Sequence, residues 1–391
     1  MKDAARMAAA RERAEFVCIH SNVDKPITSK ETESMLLDIF EPKQHGKVEK
    51  LHGLYRLVFG ASYLASLHDM RRGEEHYQQW YPYRYIRHNE ELGGGIGPCA
   101  HLVKSIKAKH NQVGQRETFG GISHRNPLFD FPAWHGLLLA YRLIVMKEKF
   151  PDLFDYRNLW FVATYPSLTK AKQGEGWPGL FACISSKHYG TTWKAFYEDN
   201  KICTGYITRQ WCHQGYHDAE DRGCDQPAIQ KLAGWSHDDK NDKETKAERI
   251  HYSNNVPLRG MVAMARGDPN NPRHFYLPRY VDVSDEFLML FPQIAAIVTN
   301  HREVTEKYNA YQTKKAMCAD RVATAYECGL NALEELRCCF RFLASRPVDP
   351  VTLQVRDTEP CFFDKFCYCS TLQCFFDHSA FQSELWMDLC W

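Results

Sequence analysis

From Ser29 to about Arg87 apolar residues recur every three or four positions, and this period constrains the fold more than any other feature of the chain. SKETESMLLDIF opens with Ser29 and nearby Glu33 as a capping box, then supplies Met35, Leu36 and Ile39. LYRLVFGASYLASLHDM continues with the same spacing. It returns in TTWKAFYED (191–199), QWCHQGYHDAEDRG (210–223) and QPAIQKLAGW (226–235), so the chain is expected to be mainly α-helical. PAWHGLLLAYRLIVMKEKF (132–150) predicts a buried helix with Pro132 near its first turn.

The period breaks at ELGGGIGP (91–98), the best boundary in the first half. After it, HLVKSIKAKHNQVGQRETFGG predicts a strand around Leu102, Val103 and Ile106 entering a β-hairpin. Residues 151–182 read as irregular, and SHDDKNDKETKAER (236–249) as a solvated loop. At 391 residues the chain exceeds the ~100–200 typical of one domain. The expected division is a flexible N-terminal helix (1–30), a helical part (31–95), a core (96–300), a long helix (301–345) and a Cys/Phe-rich tail (346–391). In the long helix Val322, Tyr326, Leu330, Leu333, Leu336, Phe340 and Leu343 keep the spacing of a docking or dimerising helix, or of one folded back on its own domain.

Composition narrows the function classes. A net charge of +1 gives no global support for a nucleic-acid or membrane partner, so any basic surface must be local. The apolar runs 137–146 and 287–298 fall short of the ~20 residues of a membrane span, and Arg142 and Pro292 interrupt them. MKDAARMAAARERAEF lacks the apolar region of a signal peptide. With 15 cysteines, a soluble protein of a reduced intracellular compartment is expected.

The densest chemistry lies in TRQWCHQGYHDAEDRG. His213 and His217 stand at i,i+4, with Cys203, Cys212 and Cys224 near, a spacing that can hold zinc. No CxxC pair anchors the set, and a helix with both histidines in solvent gives the same pattern. The tail set Cys361, Cys367, Cys369, Cys374 and His378 also lacks CxxC, and buried apolar thiols account for it equally. No metal or other cofactor is expected. Neither a GxSxG elbow nor a P-loop is present, and GGGIGP lacks a dinucleotide loop's strand-to-helix frame.

Two long stretches carry a resemblance. NQVGQRETFGGISHRNPLFDFPAWHGLLLAYRLIVMKEKFPDLFDYRNLW holds, with Lys109 before it, Asn111, Gln112, Gly114, Arg125, Pro127, Pro151, Asp152 and Trp160 in order. LAGW, then HYSNNVPLRGMVAMARGDPNNPRHFYLPR and a closing LFP, follow downstream. Together they resemble the Crypton tyrosine recombinases and their domesticated relative, the DNA-binding subunit of the budding-yeast inner kinetochore, over about residues 55–298. The resemblance implies the mainly α tyrosine-recombinase catalytic-domain fold with a small β-hairpin. It also implies a chemistry in which a tyrosine attacks the scissile phosphate, two arginines clamp its oxygens and a hairpin lysine protonates the leaving oxygen.

Carried over by position, the motifs put Arg72 at the first arginine, Lys109 at the hairpin lysine, Trp235 at the later His/Trp position and Tyr252 at the nucleophile. Tyr252 lies 17 residues after Trp235, a longer interval than the family's, with the charged loop between them. Where the family has Thr-His-x-x-Arg followed by His-x-Gly, this chain has Thr208, Arg209, Cys212, His213 and Gly215. Arg209 replaces the catalytic histidine and Cys212 the second arginine. Loss of one oxyanion-stabilising donor costs ~10²–10³ in rate. The only HxxR in the chain, His68 to Arg71, lies upstream of the hairpin on an apparent core helix.

A recombinase domain without its chemistry can keep its DNA-facing surface. Lys104, Lys107, Lys109, Arg116 and Arg125 stand against the single acid Glu117 in residues 101–125. The expectation is a nuclear, transposon-derived protein that binds double-stranded DNA without catalysis, with homodimerisation through 301–345 and no membrane or small-molecule substrate. The alternatives are an active Crypton-like recombinase working through Tyr252, a protein-interaction module, or a decaying transposon copy.

Overall fold

The computed structural model describes residues 27–71, 84–88, 99–105, 117–124, 126–142, 146, 148, 163–164, 182–202, 210–233, 257–272 and 306. Their organising element is helix α2 (Gly53–Asp69), in which every residue from Leu57 to Asp69 is buried. A helix apolar around its whole circumference must be enclosed by others, and α2 is packed by elements on all sides. These are α3 (Phe131–Ala140), α4 (Ser186–Asp199), α5 (Gln210–Asp221), α7 (Leu258–Met264) and strand β3 (Glu117–Ile122). Helix α1 (Ser29–Leu37) precedes it, and α6 (Gln226–Ala233) packs on α5 and α7.

The apolar positions of α1 behave as expected, with Met35, Leu36 and Ile39 fully buried. Its capping box is one register earlier. Thr28 accepts from the Glu31 amide, and the Glu31 carboxylate takes the Thr28 amide at 2.7 Å. The helical period does not run on to residue 87. The chain turns after Leu37, and the Asp199 carboxylate at the end of α4 accepts the Lys47 and Val48 amides at 3.0 and 2.9 Å. Arg84–His88 is strand β1, not helix, because RYIRH pairs along its length with β2 (Cys99–Ser105).

The expected hairpin is present. β2 pairs antiparallel with β3 from Ala100 opposite Ile122 to Ser105 opposite Glu117, giving the sheet order β1-β2-β3. ELGGGIGP joins two paired strands, with His88 opposite Cys99. Two-residue strands β4 (Ala163–Thr164) and β5 (Ala182–Cys183) pair across the stretch expected to be irregular. Helix α3 carries Pro132 in its first turn under an Asp130 cap; its α-helical part ends at Ala140, Tyr141 and Arg142 continue as a wider π turn, and 143–145, 147 and 149–150 lie outside the described residues. The 301–345 helix, apart from helical Glu306, and the 1–26 and 346–391 segments lie outside the described residues. No helix among the described residues is long and apolar enough to cross a membrane.

Two glycines permit the close approaches around α2. A Cβ at Gly60 would stand 2.6 Å from the Trp134 ring, and one at Gly215 of α5 would stand 2.5 Å from the Leu67 carbonyl oxygen. Gly215→Ala therefore meets backbone, which cannot rotate away. The ~1 kcal/mol gain in helix propensity is outweighed, and the variant is expected to lose about 1–3 kcal/mol of stability. A lower urea midpoint with an unchanged m-value shows this; an unchanged midpoint contradicts it.

Candidate nucleic-acid interface

The site is built where the C-terminal end of α2 meets the first turn of α5. Helix α2 ends at Met70, whose backbone is left-handed (φ 52°), and this turn carries Arg71 under the sheet. Its guanidinium lies 4.3 Å from the centroid of the Phe119 ring on β3 and is 2% exposed. A cation over an aromatic face is attracted to the ring's negative quadrupole, more strongly where water is excluded.

The Arg71 carbonyl joins the two helices. It accepts from Trp211 Nε1 at 3.0 Å and from Cys212 Sγ at 2.9 Å, so residues 140 and 141 positions apart converge on one oxygen. Trp211 is fully buried and lies 4.0 Å, centroid to centroid, from Trp193 of α4. Burial of Trp211, Cys212, Gly215 and Ala219 defines the inward stripe of α5.

His213 and His217 lie on the opposite side of that helix, exposed to solvent. Consecutive residues on a helix point about 100° apart, so Cys212 turns inward while His213 turns out. The zinc pattern of Cys212, Cys224, His213 and His217 therefore does not assemble. Among the described residues no group of three or more His, Cys, Asp or Glu is placed to hold a metal. His217 instead lies 4.0 Å from Glu220. Cys203 and the tail set Cys361, Cys367, Cys369, Cys374 and His378 are outside the described residues.

Of the residues matched to the recombinase motif, Cys212, His213 and Gly215 are seen in full. Lys104 is placed by its backbone on β2, opposite Thr118. Arg72, Lys107, Lys109, Arg116, Arg125, Arg209, Trp235 and Tyr252 lie outside the described residues. Arg71, next to the residue chosen as first arginine, is the guanidinium that closes against the sheet. No sequence pattern marked it, since its place follows from the left-handed turn at Met70.

Asp218, on the last turn of α5, and Arg222, directly after it, had no motif to mark them. Arg222 Nη1 donates to the Ala263 and Met264 carbonyls at 2.6 and 3.0 Å, supplying cationic donors to the C-terminal end of α7. Burial lowers the Arg222 pKa, with Asp218 opposing that shift. Burial raises the Asp218 carboxyl, against the pull of Arg222 and the bond from Gln214. Past α7, the Arg266 guanidinium lies 5.7 Å from the centroid of Phe129.

No protein-family model matches the sequence, and no curated protein matches it. In overall shape it is similar to a solved Flpe–Holliday junction complex, with 11% identity, a TM-score of 0.36, and 61% of this chain and 53% of that one covered. It is also similar to a complex of FLP recombinase with a Holliday junction, with 11% identity, a TM-score of 0.38, and 66% and 55% covered. The chain spans about half the length of the recombinase chains it matches.

Proposed function

We propose that this chain is a non-catalytic double-stranded DNA-binding protein descended from a Crypton-type tyrosine recombinase. The observation that carries the reading is the state of position 212. The resemblance puts the second phosphate-clamping arginine there, and the side chain present is a thiol, 7% exposed, donating to the Arg71 carbonyl. A thiol at that place brings no positive charge to a phosphate and no bidentate donor pair. Arg209 in place of the histidine removes the second half of the motif.

What remains suited to DNA is the hairpin. Lys104, Lys107, Lys109 and Arg116 are concentrated on and between β2 and β3 and Arg125 follows three residues after β3, with Glu117 the only acid in residues 101–125. Cations repeated along a two-stranded element can follow a phosphate backbone without reading bases. On this reading the protein acts in the nucleus, needs no cofactor, and uses 301–345 to dimerise.

The test is binding of the full chain to a random-sequence duplex pool at ~50 and ~200 mM salt. The five hairpin cations predict a log–log slope steeper than about −3, since each neutralised phosphate contributes about −0.9. Replacing Lys104 and Lys107 by Ala should flatten the slope by about two such steps. No binding at either salt refutes the proposal. Incubation with nicked duplex and denaturing electrophoresis tests the catalytic half: no covalent adduct is expected. An adduct that Tyr252→Phe abolishes would instead establish an active recombinase.

A further inference from the structure

We propose that His68 and His124, set in a layer of four buried histidines, form an acid-sensitive latch between the sheet and the helical body, so that mild acidification lifts β2 and β3 from α2 and α3 before the helices separate. His68 comes from α2, His101 from β2, His124 from the turn after β3 and His135 from α3, and none is more than 2% exposed. Three surround one ring. The Phe131 centroid lies 5.9 Å from that of His68, 6.1 Å from His101 and 4.6 Å from His135. His124 lies 6.0 Å from His68 and 5.5 Å from Phe129. The sheet thus meets the helices through imidazoles.

Hydrogen bonding fixes two of these rings as neutral. His68 Nε2 faces the Phe129 carbonyl at 3.2 Å, so this nitrogen carries the hydrogen. Its Nδ1 is buried with no hydrogen-bond partner among the described residues, and a proton there would be a charged donor with no acceptor among them. His124 Nδ1 accepts the Asn126 amide at 2.9 Å, which a proton on that nitrogen would displace. The Asn126 carbonyl, 3.1 Å away, is the alternative acceptor, and taking it gives up the amide bond.

Surrounding charges oppose protonation further. Arg222 from the turn after α5 acts on both rings, and Arg266 from the segment after α7 acts on His124. His68 and His124 also repel one another once charged. Asp69 of α2 and the α3 cap Asp130 are the fully buried acids of this layer, and Asp218 of α5 is paired toward Arg222. Arg71 lies beneath β3, over Phe119. Burial, ahead of these charges, pushes His68 down to about 4 and His124 well below the ordinary histidine range.

The sign follows from the direction of the shift. In the unfolded chain His68 and His124 bind protons near the ordinary value of about 6.5, while in the closed layer burial holds both to lower pH. Stability from neutral burial is complete above that value and is lost as pH falls from ~6.5 toward ~4. The loss is local because the other side of α2 is built differently. Phe59, Tyr63, Trp193, Phe196 and Trp211 pack there with no buried histidine among them.

Hydrogen exchange by mass spectrometry on the full chain, corrected for intrinsic rates between about pH 7 and about pH 4.5, reads the latch directly. Segments 99–105 and 117–124 should lose protection below about pH 6 while 53–66 and 186–199 keep theirs. Simultaneous loss in strands and helices, or no loss by about pH 4.5, overturns the proposal. The double variant His68→Gln/His124→Asn keeps a donor for the Phe129 carbonyl and an acceptor for the Asn126 amide without titrating. Its opening midpoint should fall by about one pH unit; an unchanged midpoint overturns the latch. Imidazole NMR on the unmodified protein gives a reading that needs no variant: His68 and His124 should gain protons only as strand protection is lost. Protonation near pH ~6.5 with the strands still protected refutes it.

Discussion

Glu148→Gln should cost about 3–5 kcal/mol of stability, because it leaves a guanidinium charge inside the protein. Arg142 Nε donates to Glu148 Oε2 at 2.6 Å and Nη2 to Oε1 at 2.8 Å, a two-pronged pair in which both side chains are 1% exposed. Such a pair adds little over apolar residues of the same volume, since each charge gave up its hydration to enter. Breaking it is different. The remaining charge keeps its desolvation cost and loses the two-pronged pairing. Arg142→Met, which strands the carboxylate, should be destabilising to a similar degree. Replacing both residues by Met should recover a large part of the loss, the coupling expected of residues that act as a unit. Against total stabilities of about 5–15 kcal/mol, the single variants remove a third or more in most cases. Urea midpoints of the four proteins measure this. A Glu148→Gln loss below about 1 kcal/mol would show a solvated pair.

That pair illustrates what a linear sequence hides. Arg142 reads only as an interruption of the apolar run LLLAYRLIVM. Its partner lies six residues on, beyond the end of α3, and no period connects them. The helices α4, α5 and α6 were legible because an amphipathic stripe is local: Tyr189, Thr192, Trp193, Phe196 and Tyr197 repeat at the helical spacing whatever they touch. β1 was not legible, since RYIRH becomes a strand by pairing with residues 99–103, and its own alternation is too short to outweigh the helical pattern before it. The capping box missed by one residue because Thr28 and Ser29 are adjacent, and both are good N-caps.

The candidate site was legible by motif and unclear by face. His213 and Cys212 are neighbours in sequence, which invites reading them as one cluster, and the helix points them to opposite sides. The phase was available: Trp211, Gly215 and Ala219 lie on one stripe at i,i+4,i+8, and Cys212 belongs beside it. What no stripe reveals is the position of Arg71. It depends on the left-handed turn at Met70, a conformation that bulky residues rarely adopt and that surrounding structure must hold.

Trp211→Ala should be the most damaging single change at this junction, at about 3–5 kcal/mol. The indole is fully buried, close to Trp193 at 4.0 Å and within 6.4 Å of Tyr63, so its removal leaves a cavity bounded by rings that cannot all collapse into it. It also deletes the 3.0 Å bond that draws the first turn of α5 onto the Arg71 carbonyl, leaving that oxygen its bond from Cys212. The two effects are separable. Trp211→Phe keeps most of the apolar contact and removes the N–H, and should cost nearer ~1 kcal/mol from the hydrogen bond. For the proposed DNA-binding function the consequences also divide. Trp211→Phe leaves the hairpin attached to its helices and should bind duplex with the same salt slope as the parent. Trp211→Ala loosens α5 from α2 and should weaken binding in proportion to the population unfolded, with recovery at lower temperature. Equal stability of Trp211→Ala and parent in urea would show that the α2–α5 junction does not depend on this indole.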